Sequence, residues 1–500
     1  MKSLEPLPYH SDPSTVNSWI IKLNKLEPTL ASNVLYKALK ALLNETFGSD
    51  KFYLLLEQLT PVTLHYTHYL ETFFNIEKSQ LDAKSRKLGR MSTNILRYMA
   101  IAYSQQATAE TSNNQLLNSI YLAYYFTGLS LKQNAMLHER SSLTLWQKMS
   151  GLYQLAFNKN ILDEKITAGN KIFQNPATIR SALNRNILFS LSNPYKLAAE
   201  KIDNLFSILD QQASLLRSKT AFKADPFRAD FYWPYKAQIP PHFSQAGDNP
   251  SGTLQFNTHE LIKYFQSSNF NHPFEEFNQI IDRLTGYQGI IQSVRPSEPI
   301  ICNLMSGFSS VIQTLARKML TSQFSNNDNT AHNTFGSSLD NLQLEPLEGK
   351  IESSDLADIW QGQQSLSSSN QTIKLQPTRD KKYYVAEVKQ ANCKINEPAI
   401  LQYGNNIMVL AIIRQIQKSS QHDVFRVLIE KNTGIISHSS DQNTNKPVIF
   451  ITRDHHQPEA LLAPDKYITG SRIKLTEGEF ILNALREETP HYMHYQLIPC

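Results

Sequence analysis

Cysteine is scarce: Cys302, Cys393 and Cys500 are the only three in 500 residues, far apart and never in C-x-x-C spacing. That excludes a disulfide framework and a cysteine zinc site. Glycine is nearly as sparse, with 17 in the whole chain. Gly286, Gly289 and Gly307 stand isolated among bulky neighbours, as turn or packing residues, and form no phosphate-cradling run. The sequence contains no G-x-S-x-G, no GxxxxGK[ST], no G-x-G-x-x-G opening a helix and no H-E-x-x-H. The commonest hydrolase, nucleotide-binding and zinc-protease signatures are therefore missing. Long apolar runs are absent too: the longest clean one, 407–413, is far shorter than a membrane span, and the opening MKSLEPLPYHSDPS interrupts any signal-like core with Glu5, Pro6, Pro8 and Asp12. The expected setting is a reducing cytoplasm.

Charge is nearly balanced at +5, without the dense basic stripe of a nucleic-acid binder. Hydrophobic residues make up 41% and charged ones 19% of the chain, enough to bury real cores, and the length fits about two to four domains.

Up to about residue 220 apolar side chains recur at three- and four-residue spacing, as in Val34, Leu35, Ala38, Leu39 and Leu42, or Leu55, Leu56, Leu59 and Val62. This predicts an all-α domain over 1–220 with about eight to ten helices. Pro61 after Thr60 predicts a kink or a fresh helix start. Ser192, Asn193 and Pro194 predict a stop and restart. Between 221 and 252, Pro226, Trp233, Pro234, Pro240, Pro241 and Pro250 break any period, marking a boundary. Beyond it, short helices are expected over 253–265 and 274–284, a strand over 298–304 and a helix over 309–320. This mixed connecting region, 221–320, is a candidate source of a first barrel strand. The Ser/Asn/Gln-rich stretch 321–372, with a short helix at 356–360, reads as a mobile linker. From 373 to 500 the period becomes strand-like, with short Val-, Ile-, Tyr- and Phe-rich runs separated by turn signals such as Gly404-Asn405-Asn406 and Asn432-Thr433-Gly434. A small antiparallel barrel or sandwich follows.

Several segments carry a family likeness: NVLYKALKALLN (33–44), FYLLLEQLTP (52–61), WQKMSGLYQLAF (146–157) and LSNPYKL (191–197) in the helical part, then EPAILQYGNNIMVLAIIRQIQ (397–417) and EALLAPDKYITGSRIKL (459–475). In order and spacing this chain resembles large proteobacterial PilZ-type cyclic-di-GMP-binding proteins linked to type IV pili. The resemblance implies a multidomain α+β chain whose helical domain precedes a PilZ-like antiparallel β-barrel. It also implies two ligand motifs. An RxxxR pair places guanidinium planes on guanine bases and phosphates, and a D/NxSxxG segment completes the site. Here IIQSVRPSEP (290–299) keeps Arg295 of the first motif, and EVKQANCKIN (387–396) keeps Asn392 of the second without its serine or glycine. A missing arginine removes about 1.5–3 kcal/mol of charge-assisted bonding, so loss of nucleotide binding in the usual mode stays open. Arg379, Lys381 and Lys382 form a nearby basic patch that substitutes in part or is a solvated face.

The reading is a non-enzymatic regulatory or scaffold protein, with cyclic-di-GMP as its ligand, no cofactor, and protein partners in pilus or surface-sensing machinery. No nucleic-acid polymer and no membrane span enter it. Two alternatives stand beside it. An unrecognised active site or metal site would use His65, His68 and Glu71, at helical spacing in an amphipathic stretch that equally accounts for them. A secreted effector is suggested by the polar, acidic stretch Glu487, Glu488 and Thr489 alone. His455, His456, His491 and His494 read as surface or sheet-edge residues, and Trp146, Trp233 and Trp360 as core or anchoring residues. The aromatic run Phe227, Phe231, Tyr232, Trp233 and Tyr235 is either a docking patch or buried packing.

Overall fold

The computed structural model describes residues 13–44, 50–75, 81–109, 112–166, 177–219, 231–237, 240–243, 252–268, 270–327, 371–379, 381–388, 393–404, 407–418, 424–464 and 467–500. They fall into two compact units. The first comprises Met1–Gln292 with two later stretches, Lys466–Ser471 and Ile481–Glu488; the second comprises Ser293–Asp465, Arg472–Phe480 and Thr489–Cys500.

Among the described residues, eight α-helices open the first unit: α1 (Pro13–Leu23), α2 (Pro28–Leu42), α3 (Asp50–Glu71), α4 (Ala83–Thr108), α5 (Asn113–Met136), α6 (Leu143–Asn158), α7 (Ile179–Ser192) and α8 (Ala199–Gln212). Their ends follow local chemistry. Glu27, Asp82 and Ser112 accept hydrogen bonds from the backbone of Leu30, Ser85 and Gln115, satisfying amides that a helix start leaves without carbonyls. Thr178 and Ser181 form a reciprocal capping box on α7. Asn193 ends that helix in the left-handed region at φ 50°, and Pro194 begins a single 3₁₀ turn, the expected stop and restart. Pro61 does not start a new helix: α3 runs through it from Asp50 to Glu71. Thr60 caps nothing; its hydroxyl bonds back to Leu56 O at 2.9 Å and pairs with Tyr103 Oη at 2.7 Å. Burial of Leu55, Leu56, Leu59 and Val62 on one side outweighs the local cost of a helical proline.

Helix α5 is central, with residues buried all round its circumference. Its Lys132 places Nζ 2.9 Å from Glu71 and 2.6 Å from Asp203. On α7, buried Arg185 pairs with Asp210 at 2.9 Å and donates to Tyr124 O at 3.2 Å. After the helices come β1 (Arg217–Lys219), β2 (Phe231–Trp233), β3 (His242–Phe243) and β4 (Leu254–Asn257), paired in the order β1-β4-β2-β3, then α9 (His259–Phe265), α10 (Phe277–Leu284) and α11 (Gln288–Gln292). The helix expected over 253–265 is thus a strand followed by a helix: Leu254 to Phe256 are buried in the sheet, and only the Leu261, Ile262 and Phe265 stripe is helical. Trp233 packs edge-on to Trp146, with ring centroids 6.4 Å apart. The two later stretches are held by ion pairs and by a hydrogen bond to a backbone carbonyl. Glu487 pairs with Arg283 at 3.3 Å, Glu488 with Arg140, and Arg90 donates to Thr469 O.

The second unit contains β5 (Ile300–Ser306), α12 (Phe308–Asn327), β6 (Gln371–Pro377), β7 (Tyr383–Val388), β8 (Pro398–Tyr403), β9 (Ile407–Lys418) and β10 (Phe425–Lys431). The six strands close as an antiparallel barrel in the order β10-β7-β6-β5-β8-β9. Alternate residues fill it: Cys302, Leu304, Ile373, Leu375, Ala411 and Ile413 are among its buried interior. Outside, Val311, Ile312 and Leu315 of α12 pack with Met305, Ile400 and Leu410. Helix α12 continues past residue 320 to Asn327. Strand β5 precedes the Ser/Asn/Gln-rich stretch and β6 follows it; 328–370, including the short helix expected at 356–360, lies outside the described residues. The remaining strands, β11 (Ile435–Asp441), β12 (Lys446–Thr452), β13 (Glu459–Leu462), β14 (Arg472–Leu475), β15 (Gly478–Glu488) and β16 (Met493–Pro499), form a sheet ordered β11-β12-β13-β16-β15-β14.

Candidate ligand site at one end of the barrel

In an antiparallel barrel the starts of β5, β7 and β9 and the ends of β6, β8 and β10 share one end. Here the segment before β5 runs beside the end of β6. Arg295 N donates to Pro377 O at 3.0 Å, Arg379 N donates to Ser293 O at 3.1 Å, and Val294 bridges Thr378. This pairing joins two arginines 84 positions apart: Arg295 Nη2 donates to Arg379 O at 2.9 Å. Both side chains are exposed, and among the described residues no carboxylate forms an ion pair with either. Buried Thr378 anchors the turn, receiving and giving bonds with Tyr383 and Lys381, and Lys381 closes it in the left-handed region at φ 51°.

Lys382 occupies a different environment. Its Nζ lies 2.7 Å from Glu430 and 5.3 Å from the Tyr383 ring centroid. Glu430 also accepts from Arg414, a buried arginine whose Nη1 reaches Asn396 Oδ1 at 3.3 Å. Glu430 thus serves two cations, and Lys382 is tied to the barrel wall. The Arg414–Glu430–Lys382 chain escapes sequence reasoning because its members come from β9, β10 and a turn; the polar Arg414 within the apolar run of β9 was its one visible sign. Asn392 lies outside the described residues.

Inside the barrel, burial pushes the Cys302 thiol up to about 11 and the Cys393 thiol, with Glu397 adding to it, up to about 12. Both stay protonated at neutral pH, unlike a thiolate nucleophile. Burial likewise raises the Glu397 carboxyl and the Tyr403 phenol. What this end offers is two exposed arginines on adjoining backbone segments, and guanidinium groups are planar forks that match phosphate oxygens and stack on bases.

The helical unit can be placed by comparison. Residues 14–221 match the FimW N-terminal domain family. That family model is described as the N-terminal domain of the cyclic-di-GMP receptor FimW. No curated protein and no solved structure gives a significant match to the chain.

Elsewhere in the chain the other sequence candidates resolve into structural roles. His65 and His68 are exposed on α3, whereas Glu71 is buried, its oxygens 2.9 Å from Lys132 Nζ and 2.9 Å from Gln133 Nε2. The three therefore do not converge on a ligand, and among the described residues no cluster of three or more His, Cys, Asp or Glu is arranged to hold a metal ion. Phe231, Tyr232 and Trp233 are buried, and Tyr153 meets Trp233 and Tyr235 at centroid distances of 5.7 and 5.0 Å. That run is packing; Phe227 lies outside the described residues. Glu487 and Glu488 sit in β15, paired with arginines, so the acidic stretch is part of a strand. His494 pairs with Glu459 at 3.0 Å. No helix among the described residues is long and apolar enough to cross a membrane.

Proposed function

We propose that this chain is a non-enzymatic regulatory receptor for cyclic-di-GMP, acting in a bacterial cytoplasm on type IV pilus or surface-sensing machinery. The observation that carries the ligand part is the pairing of Arg295 with Arg379 at the barrel end. The β6–β7 turn brings a second exposed arginine, Arg379, whose backbone carbonyl accepts from the one arginine kept from the RxxxR motif. The match of residues 14–221 to a cyclic-di-GMP receptor domain supports the same class, as does the closed antiparallel barrel that follows. Ligand binding would act by favouring one arrangement of the protein over another, through different affinities for the two; the helical region is then the partner-engaging part.

Isothermal titration of the full chain with cyclic-di-GMP tests the reading. Saturable binding that weakens about ten- to a hundred-fold in Arg295→Ala and in Arg379→Ala is the expected result. A flat titration up to millimolar ligand would sink the receptor reading and leave a scaffold that works through protein contacts alone.

A further inference from the structure

The barrel end that carries the arginines also exposes apolar side chains of the interior face. Ile300 shares the interior face of β5 with Cys302 and Leu304, and Ile407 shares that of β9 with Ala411 and Ile413, yet the two are 40% and 63% exposed. Each therefore points along the barrel lining at the position where the lining meets water. Tyr403 is the cross-strand partner of Ile407, and Tyr384 is the partner of Pro377. Both tyrosines are half-buried and pack on the interior cluster, and Leu375, paired with Ile300 and fully buried, closes the space beneath. Two residues beyond Pro377 the chain reaches Arg379, and five residues before Ile300 stands Arg295.

A mouth of two isoleucines and two phenol rings beside two exposed guanidinium groups matches a ligand with a flat aromatic part and an anionic part. Resting on the receptor reading above, we propose that the barrel mouth formed by Ile300, Tyr384, Tyr403 and Ile407 seats one guanine base of the cyclic dinucleotide, while Arg295 and Arg379 hold its phosphates. The base is covered by apolar and aromatic side chains, a contact that operates on any base face. The Tyr403 hydroxyl supplies a hydrogen-bond donor, and guanine answers with its O6 and N7 acceptors where adenine offers N7 and a donor amine. Charge complementarity selects this occupant over an apolar peptide, which would leave both arginines facing no anion. The site accordingly reads base as well as charge.

Titrations of the full chain with cyclic-di-GMP and cyclic-di-AMP test this, using wild type, Ile407→Gln, Tyr403→Phe and Arg295→Ala. Ile407→Gln changes no charge at an exposed position, so it keeps the fold, as an unchanged melting temperature would verify. The expected result is an affinity for cyclic-di-GMP about ten-fold weaker in Ile407→Gln, and a preference for cyclic-di-GMP over cyclic-di-AMP reduced by a similar factor in Tyr403→Phe. Wild-type affinity and preference in both variants, with binding weakened in Arg295→Ala, would overturn the mouth as a base site and leave the receptor reading standing. Absence of binding in the wild type would overturn both.

Discussion

In the helical unit Lys132 and Arg185 lie deep among helices, Lys132 with two carboxylates and Arg185 with a carboxylate and a backbone carbonyl at bonding distance. In the barrel unit Arg295 and Arg379 are exposed, and the bonds they donate go to backbone carbonyls around the turn. The first arrangement fixes a fold: a buried cation must be compensated, and removing its partner strands a charge. The second fixes only the backbone and leaves guanidinium faces available to an anion. Charge thus serves packing in the helical region, while under the proposed function it serves recognition at the barrel end, and each role makes a different substitution costly.

The largest effect is expected at Lys132. Its side chain and that of Glu71 are only 9% and 11% exposed, so Lys132→Met leaves the Glu71 carboxylate buried without its cation. A loss of about 3–5 kcal/mol in stability of the helical unit follows, read from urea unfolding monitored by helical circular dichroism. Asp203, 48% exposed, hydrates on its own, and Asp203→Asn should cost under about 1 kcal/mol. Equal, small effects for the two variants would break the claim that this cation is structural.

Next comes a pH effect in the same unit. Burial drives the His138 imidazole down to about 4, against the bond that Nδ1–H donates to Tyr195 O and with Arg486 and Arg86 adding to the fall. The unfolded chain takes up a proton near pH 6.5, while the folded one resists to about 4, so the unfolded state binds more protons in between. Stability should therefore decline as pH falls from about 6.5 towards 4, by roughly 3 kcal/mol relative to His138→Gln. Buried Glu139 and Glu488, whose carboxyls are raised, push the other way, which is why the difference between wild type and variant, measured across that range, is the quantity to follow.

Arg295→Ala inverts the pattern. Stability should change by under about 0.5 kcal/mol, as for other exposed positions, while cyclic-di-GMP affinity falls by about 1.5–3 kcal/mol. A melting temperature lowered as much as in Lys132→Met would mean that Arg295 is a structural cation after all.

How far the sequence led follows from where each feature's cause lies. Helical stripes, the Asn193–Pro194 break and the alternating strands have causes within a few residues, and they were legible. Which of a kink or a fresh start Pro61 would bring was not, because burial of a whole helix face overrides one proline; nor was β4, whose Leu254 and Phe256 fit a helical stripe as well as a strand. At the barrel end Arg295, Arg379 and Lys382 were visible as basic residues, but not that Arg295 and Arg379 meet across 84 positions while Lys382 is claimed by Glu430. Pairing in space separates an available cation from an engaged one, and spacing along the chain does not encode it. Glu71 makes the same point in reverse, at helical spacing from two histidines yet turned towards Lys132.

The smallest expected effect sharpens the comparison from its exposed side. Arg426 and Glu387 are cross-strand partners on β10 and β7, 3.0 Å apart, with side chains 44% and 54% exposed. An exposed pair is screened by salt, and ordering two long side chains offsets its attraction, so the coupling should be about 0.2–1 kcal/mol. A double-mutant cycle with Arg426→Ala and Glu387→Ala at low and high salt would measure it. The pair lies on the same barrel as Arg295 yet carries its own counter-ion, so neither substitution should alter nucleotide affinity beyond about two-fold at moderate salt. A larger change would mean that the basic character of the whole barrel surface attracts the ligand, and that recognition is not confined to the Arg295–Arg379 end.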